Sequence, residues 1–541
     1  MTTNKTYLGF KDSSIENHRK VSMPSSKNYC EYSALCRTIV DDYFKANFNN
    51  FGDIHVEDYF RKAIDIKLLN NYALYHQAKI DYPNLKNIST NDELIDRIIE
   101  DKSPSKRFKL IYLLSGIIYL TAYSLRLFVN CLFSKSRTSK PDILYLRKKD
   151  YPDLGLGEIL SSKINKSTID SCLVLATGEK SKFKFKLISD YRGSSIRCLR
   201  VFLDILMELG RLSKICSFND IPIRDFHRLV SDSFLIGNII EIRSLVYTGV
   251  LLDKPFYVLL DKYRKPYQAI NTINESFFYP PFRTFDYSYA DVYYSMNQID
   301  ESMQNHFGGN IASFKRVSFF RKDLIINSKG LSDSLKKIKD RFQKIILATT
   351  VQVSDEIFIQ FGVEELNSFL YEVKNYASSN PKNLIILKGK KNELSLVDPD
   401  IIKQISNLEN IFLINSIKPR LLEYDHFEDL IKISDLMISM NHASTTIWQS
   451  FAHGKPVIAI NDAHPKSFLA GYENLEITSD KLSKGIKFWL EMDCNECTNF
   501  IKKISKDVNL GDNDGLSQIA NHLERTSNNI SARMKTDNER E

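Results

Sequence analysis

Five apolar runs between Lys344 and Ile460, each parted from the next by an amphipathic stretch, constrain this chain more than anything else in it. The runs are KIILATT, NLIILKGK, IFLIN, DLMISM and KPVIAI. They are short and rich in isoleucine, leucine and valine, and they largely lack the polar alternation of a strand with one wet face. Each therefore predicts a strand buried on both sides. Between them, GVEELNSFLYEVKNYASS, DPDIIKQISNLEN, DHFEDLIKIS and STTIWQSFAHG repeat apolar residues at three-and-four spacing. That is the period of a helix with one buried stripe. Strand and helix in alternation predict a parallel sheet with helices on both faces.

A similar, less regular texture begins at Pro141. DILYLR, DSCLVLAT and KPFYVLLD read as strands, KKDYPDLGLGE as a turn with two glycines, and SSIRCLRVFLDILMELGRL as an amphipathic helix. TFDYSYADVYYSMNQIDESMQNHFGGN reads as a short helix or turn, a strand, a helix and a glycine turn, with FKRVSFFR closing the section. The expected organisation is a disordered polar tail over 1–28 and a helical extension over 29–140. A first Rossmann-like domain over 141–325 follows, then a linker over 326–340 and a second such domain over 341–500. The chain would end in a helix and polar tail over 501–541. The fold class is thus α/β, two doubly wound domains with an N-terminal helical extension, and ligands of such sheets bind beyond the strands' C-terminal ends.

Charge and cysteine usage narrow the setting. A formal charge of +8 from 74 basic and 66 acidic residues is a modest excess over 541 residues. It suits anionic substrates or lipids and lacks the concentrated basic stripe of a nucleic-acid binder, so no nucleic-acid partner is expected. The eight cysteines are scattered, several in apolar runs, which points to a reducing cytoplasm. The one close pair, Cys494 and Cys497, is half a zinc site without a second half, and no metal is expected. The N-terminus is polar and reads as no signal peptide. Within 106–140, the apolar run Leu110 to Phe133 is flanked by Lys106, Arg107 and Lys109 before it and Lys135, Arg137 and Lys140 after it. Its length could span a bilayer, though Arg126 and Asn130 interrupt its end; a buried helix and an in-plane or re-entrant helix on an anionic leaflet also fit, the last implying peripheral membrane contact.

The chemistry concentrates in MISMNHASTTIWQSFAHGKPVIAI. A strand ends at Met440 and a helix starts among Asn441, His442, Ala443, Ser444, Thr445 and Thr446. Amides of a first helical turn lack intrahelical partners, and the helix dipole makes that end partly positive. His442 and three hydroxyls at a strand's C-terminal end therefore predict an anion site, most simply a phosphate. Ser444 serves equally as a plain N-cap.

The run SDLMISMNHASTTIWQSFAHGKPVIAI resembles the nucleotide-sugar-binding motif of GT-B fold glycosyltransferases. Its layout is similar to the N-acetylglucosaminyltransferase of peptidoglycan synthesis and to bacterial capsule and surface-polysaccharide transferases. A second stretch, Tyr289 to Arg321, looks like the end of the first domain in the surface-polysaccharide branch. The resemblance implies a donor phosphate on His442, Ser444, Thr445 and Thr446, and an acceptor on the first domain. Gln449 falls where many members carry a glutamate on the ribose hydroxyls, and the missing charge leaves the nucleotide open. Lys388 ends a strand that in sialic-acid and Kdo transferases closes with Lys-x-His-Pro; the His-Pro is absent here, but the lysine can neutralise a leaving phosphate. His464 follows the last strand as a possible donor or acceptor contact. For an inverting reaction, Glu275 and Asp153 are the first-domain carboxylates expected to act as base, while a retaining one needs none. The implied activity is metal- and cofactor-free transfer from a nucleotide-sugar to a glycan or lipid-linked acceptor, at the inner face of a bacterial plasma membrane. A sugar-nucleotide epimerase, a CDP-polyol phosphotransferase and a non-catalytic subunit of a polysaccharide assembly system stand as alternatives.

Overall fold

The computed structural model describes residues 35–36, 38–43, 55, 57–61, 68, 142–148, 156–164, 169–174, 186–187, 203–204, 207–208, 211, 230, 233, 237, 242–248, 255–273, 289–306, 309–319, 333–350, 363–389, 393–395, 397–414, 427–440, 444–462, 468–510 and 514–538. The strands form two sheets, parallel throughout. The first holds β1 (Ile143–Lys148), β2 (Ile169–Val174), β3 (Lys186–Leu187), β4 (Ser244–Thr248), β5 (Ala269–Ile273), β6 (Tyr289–Ser295) and β7 (Asn310–Arg316). The second holds β8 (Lys344–Thr349), β9 (Asn383–Lys388), β10 (Ile411–Ile414), β11 (Leu436–Ser439), β12 (Val457–Ile460) and β13 (Glu476–Ile477).

Their orders are β3-β2-β1-β4-β5-β6-β7 and β10-β9-β8-β11-β12-β13. Both run outward from the first strand and then reverse, the doubly wound pattern, with the reversal between β1 and β4 in one sheet and between β8 and β11 in the other. The protein is therefore an α/β molecule with two Rossmann-like sheets, as its alternating texture predicts.

In the second sheet, period-two alternation sorts the apolar side chains onto two faces. Ile346, Ala348, Ile385, Leu387 and Ile438 join a large core with the helices α5 (Val363–Ser379), α8 (Thr445–Ala452), α9 (Leu482–Glu491) and α10 (Cys494–Asp507). On the other face, Leu347, Leu384 and Ile386 meet Leu430 and Ile431 of α7 (Phe427–Ile433). The helix α6 (Pro399–Ser406) is capped by the Asp398 carboxylate, which accepts from Asp400 N at 2.8 Å. Gly485 of α9 lies so close to the sheet that a Cβ would stand 2.7 Å from Ile477 Cδ1.

In the first sheet, Ile143, Tyr145, Val246, Ile273 and Tyr294 pack under α1 (Leu156–Lys163) and under α11 (Gly515–Asn538). The last long helix thus returns from the second domain to cover the first, through Leu516, Ile519, Ala520 and Leu523. It is held there by Asp514, which pairs with Lys163 and accepts from Ser517 N at 3.0 Å. The crossing begins where α10 ends in a Schellman turn: Asn509 has φ 56°, and Leu510 N donates to Ser505 O at 2.7 Å. Asn509 Nδ2 then donates to Met296 O at 3.1 Å and Val317 O at 3.2 Å, while Asn297 Nδ2 donates back to Val508 O at 3.3 Å.

Three readings of the sequence change. KPFYVLLD is not a strand but the start of α2 (Pro255–Tyr263). Phe256 through Leu260 are all buried, and an apolar run dry on every side carries no period to tell helix from strand. The proline at the head of the run costs a helix nothing, because the first turn has no partner for its amide. The second glycine of KKDYPDLGLGE lies inside α1, whose first residue is Leu156. Within the stretch expected as a linker, Asp333–Lys339 is helical (α4); the helix read before the glycine turn is present as α3 (Gln298–His306).

Of the N-terminal extension, 35–36, 38–43, 55, 57–61 and 68 are helical. His55 Nε2 lies 3.2 Å from Asp261 Oδ2 of α2, and Arg61 bridges Asp41 at 2.7 Å and Glu57 at 2.9 Å. Residues 1–28 and the apolar run 110–133 lie outside the described residues. Among those that are described, no helix is long and apolar enough to cross a membrane.

Candidate functional site

Every strand of the second sheet points the same way, so Thr349, Lys388, Ser439 and Ile460 end at one edge. At the reversal between β8 and β11 the flanking connections leave toward opposite faces, which opens a crevice beyond the strand ends. The stretch after β11 comes from that point, because DLMISM is apolar enough to form a central strand and the following Ser and Thr residues favour a helix start.

Ser444 is the N-cap of α8, with extended backbone (φ −74°, ψ 134°). Its Oγ accepts from Thr446 N at 3.3 Å and lies 2.7 Å from Thr446 Oγ1. Ile447 N donates to Ser444 O at 3.1 Å. Ser444 and Thr446 thus satisfy each other and the first turn. Thr445 is different: it is half-buried, and among the described residues its hydroxyl has no hydrogen-bond partner. Gln449, one turn on and on the same helix face, is also half-buried with its amide uncommitted among those residues. Ile447, Trp448 and Phe451 take the opposite, buried face.

The far end of α8 is reset by a second Schellman turn. Gly454 has φ 69°, its N donates to Phe451 O at 2.9 Å, and Lys455 N donates to Ser450 O at 2.9 Å. Pro456 then leads into β12, so the Gly-Lys-Pro sequence is a turn device and not a binding loop.

Lys388 stands at the same edge, on β9, separated from β11 by β8, or about 10 Å across the sheet. Its Nζ lies 5.7 Å from the ring centroid of Phe427, the first residue of α7. Two hydroxyls unremarked in the sequence complete the edge. Thr349 is buried at the end of β8, its Oγ1 donating to Ile438 O at 3.3 Å, and Thr350 follows it, also buried. The doubled threonine closing KIILATT, beside the reversal, is the signal that would have found them. Beyond β12, Asn461 Nδ2 donates to Glu476 Oε1 at 2.7 Å, and Asp462 accepts from Ser479 N at 2.6 Å and Ser479 Oγ at 2.5 Å. These bonds fix the rim next to the crevice.

The structure thus brings Ser444, Thr445, Thr446, Gln449 and Lys388 to one sheet edge. His442, His464, Glu275 and Asp153 lie outside the described residues: Asp153 falls between β1 and α1, Glu275 after β5, and His464 after β12. The perturbed carboxylates that are described, Glu208, Asp261, Glu301 and Asp514, stand elsewhere, and two of them show why. Glu208 is held down at about 2 despite its burial, by hydrogen bonds from Arg211, Tyr263 and Lys262. Asp261 is likewise held at about 2 despite burial, by hydrogen bonds from His55 and Tyr289 and by Arg264. Both are stapled into ion-pair networks, which suits anchoring better than proton transfer.

No family model matches the chain, and no curated protein sequence matches it. Solved structures of similar shape include the UDP co-structure of S. aureus MnaA, 12% identical, covering 71% of this chain and 96% of that one, with a TM-score of 0.43. Another is the trehalose 6-phosphate synthase of Burkholderia multivorans, 9% identical over 73% and 98% of the two chains, with a TM-score of 0.42. The wall teichoic acid polymerase TagF is 10% identical over 79% and 98%, with a TM-score of 0.41. What defines the class of this protein is its own topology: among the described residues, two doubly wound parallel sheets, of seven and six strands, bridged by a returning C-terminal helix.

Proposed function

We propose that the protein is a glycosyltransferase that binds a nucleotide-sugar at the C-terminal edge of its second sheet. The sugar passes to a glycan or lipid-linked acceptor held by the first domain, in the building of a bacterial surface polysaccharide. The observation that carries this reading is the start of α8 at the topological reversal, where Thr445 offers an uncommitted hydroxyl one turn from the uncommitted Gln449. A diphosphate there meets the positive end of the helix dipole and the Thr445 amide and hydroxyl. Lys388, from two strands away, supplies the cation that a leaving phosphate needs. Gln449, with one acceptor and two donors, suits a ribose diol without repelling the diphosphate. Ser444 and Thr446 shape the turn. Glu275 and Asp153 are the proposed bases for an inverting reaction, and His442 and His464 the proposed flanking contacts. The basic and apolar segment over 106–140 is proposed to rest on the inner face of the membrane, where a lipid-linked acceptor is found.

The test is a thermal-shift screen of UDP-, GDP-, CMP- and CDP-linked donors on the full chain. One nucleotide class should raise the melting temperature, and Thr445→Val should weaken its binding about 10- to 100-fold, the worth of a hydrogen bond to a charged group. A chain that no nucleotide stabilises, or a Thr445→Val variant that binds as tightly as the parent, overturns the reading. The product separates the rivals: a glycoside for the transferase, a phosphodiester for a polyol-phosphate transferase, and an acceptor-free epimer for an epimerase.

A further inference from the structure

Helix α10 opens with two cysteines three residues apart, and neither belongs to the nucleotide site. Cys494 is exposed at the first helical position, while Cys497 is half-buried and packs against the core of the second domain. Residues at this spacing share a helix face with their Cβ atoms about 5–6 Å apart. A disulfide needs about 3.5–4.5 Å. The gap of roughly 1–2 Å falls in the one turn of a helix that can give, since its amides have no intrahelical partners. Two of those amides, Asn495 N and Glu496 N, hang on the Asp493 carboxylate at 2.8 and 3.3 Å. Burial raises the Cys497 thiol above its ordinary range, and Cys494 is the second cause, so the two sulfurs feel each other. A structural zinc site takes four ligands. Among the described residues no group of three or more His, Cys, Asp or Glu side chains is placed to hold a metal.

We propose that Cys494 and Cys497 are a dithiol–disulfide pair, a site of reversible oxidation by small-molecule disulfides, with Cys494 attacking and Cys497 resolving. The Cys494 thiolate attacks one sulfur of the small disulfide, forms a mixed disulfide, and expels the other half as a thiolate that takes up a proton. Cys497 then gives its proton to solvent, attacks Cys494 Sγ and expels the second half, which is protonated in turn. Two protein thiols are oxidised and one small disulfide is reduced to two thiols. Exposure gives Cys494 the first step, and burial keeps Cys497 protonated until its neighbour has reacted. Drawing the turn together competes with the Asp493 cap, so the bond is strained and belongs to the labile, easily reduced kind. α10 packs against α8, the helix that carries Thr445.

The test exposes the full chain to glutathione disulfide, quenches in acid, alkylates, and weighs the tryptic peptide 488–502, which contains both cysteines and no other. The expected peptide is unalkylated and about 2 Da lighter than the dithiol, and dithiothreitol restores it. Cys497→Ser should stop at glutathione on Cys494, and Cys494→Ser should slow reaction at Cys497 about tenfold or more. A parent peptide that retains glutathione on Cys494, or that stays doubly alkylated while denatured chain is oxidised, overturns the proposal. Neither result bears on nucleotide binding.

Discussion

In the second sheet, β11 and β12 are buried at every position, with Ser439 their one polar side chain. In the first sheet, β4 and β5 bury Ser244, Asn271 and Thr272 completely. The partners differ accordingly. The strands of the second sheet are covered by apolar helix faces, most of them from the same domain, with Met296 and Phe319 joining from the first. In the first, the tyrosines and Asn271 make polar bonds between elements, while Ser244 Oγ is buried with no hydrogen-bond partner among the described residues. Tyr247 stacks on Tyr257 at 3.4 Å and donates to Tyr289 O at 2.7 Å, Asn271 Nδ2 donates to Leu245 O at 3.2 Å, and Tyr294 meets His522 of α11 at 2.8 Å. The same strand order can be stabilised by local apolar packing or by long-range polar bonds, and the second route leaves the sheet dependent on remote parts of the chain.

The sharpest way to break this comparison is to remove α11. Deleting residues 515–541 should abolish amide protection in β1 and β4 and leave it in β8 and β9, read by hydrogen exchange. Equal loss in both sheets would show that the dependence is mutual.

The next largest effect sets two glycines against each other. A Cβ on Gly237 would stand 1.9 Å from Tyr263 O, a backbone atom at the end of α2, so Gly237→Ala should cost about 3 kcal/mol or more. Gly485→Ala meets only the flexible tip of Ile477 and should cost about 1 kcal/mol. Melting curves of the two variants check the order.

Acid should separate the domains more gently. Glu208 and Asp261 of the first domain titrate at about 2 in the fold against ordinary values of 4.5 and 3.8. Below about pH 4.5 the unfolded chain therefore binds more protons than the folded one, and the stability these groups supply is lost as pH falls toward 2. His522, pushed below its ordinary value of 6.5 by burial and by Lys315 and Arg525, adds stability above pH 6.5 that fades as pH falls further. Protection of first-sheet amides, measured against the intrinsic exchange rate at each pH, should fall first on acidification, with the second sheet following only at lower pH. The smallest effect is Gly454→Ala, about 1 kcal/mol from left-handed backbone alone, since no atom lies within 4 Å of the added Cβ.

The contrast also explains what the sequence reveals. Strands such as NLIILK and VIAI announce themselves because burial on both faces demands unbroken apolar residues. Ser244 to Tyr247 and Ile270 to Ile273 are equally buried, yet their serine, asparagine and threonine read as surface: Asn271 Nδ2 bonds Leu245 O of the neighbouring strand, while Ser244 Oγ is buried with no hydrogen-bond partner among the described residues. PFYVLLDKY shows the converse, a run so apolar that helix and strand look alike. At the site, the position of the Ser/Thr cluster after β11 was legible, since it follows from strand-helix alternation. The division of labour within it was not. Which hydroxyl caps and which stays uncommitted depends on the turn at Ser444, where Ser444 takes Thr446 as its partner and leaves the half-buried Thr445 hydroxyl without one among the described residues.

The return of α11 has a consequence for how the protein is made. Ser318, beside the last strand of the first sheet, bonds Gln518 across 200 residues of sequence. On a ribosome every strand of that sheet has been synthesised long before its cover exists, whereas the second sheet and its helices are complete by Leu510. Nascent domains generally mature in the order of their synthesis. Here the order is reversed: the later-made domain can finish first, and the earlier one, with α1 already on Ile143 and Tyr145, waits for the rest of its cover until Leu523 has emerged.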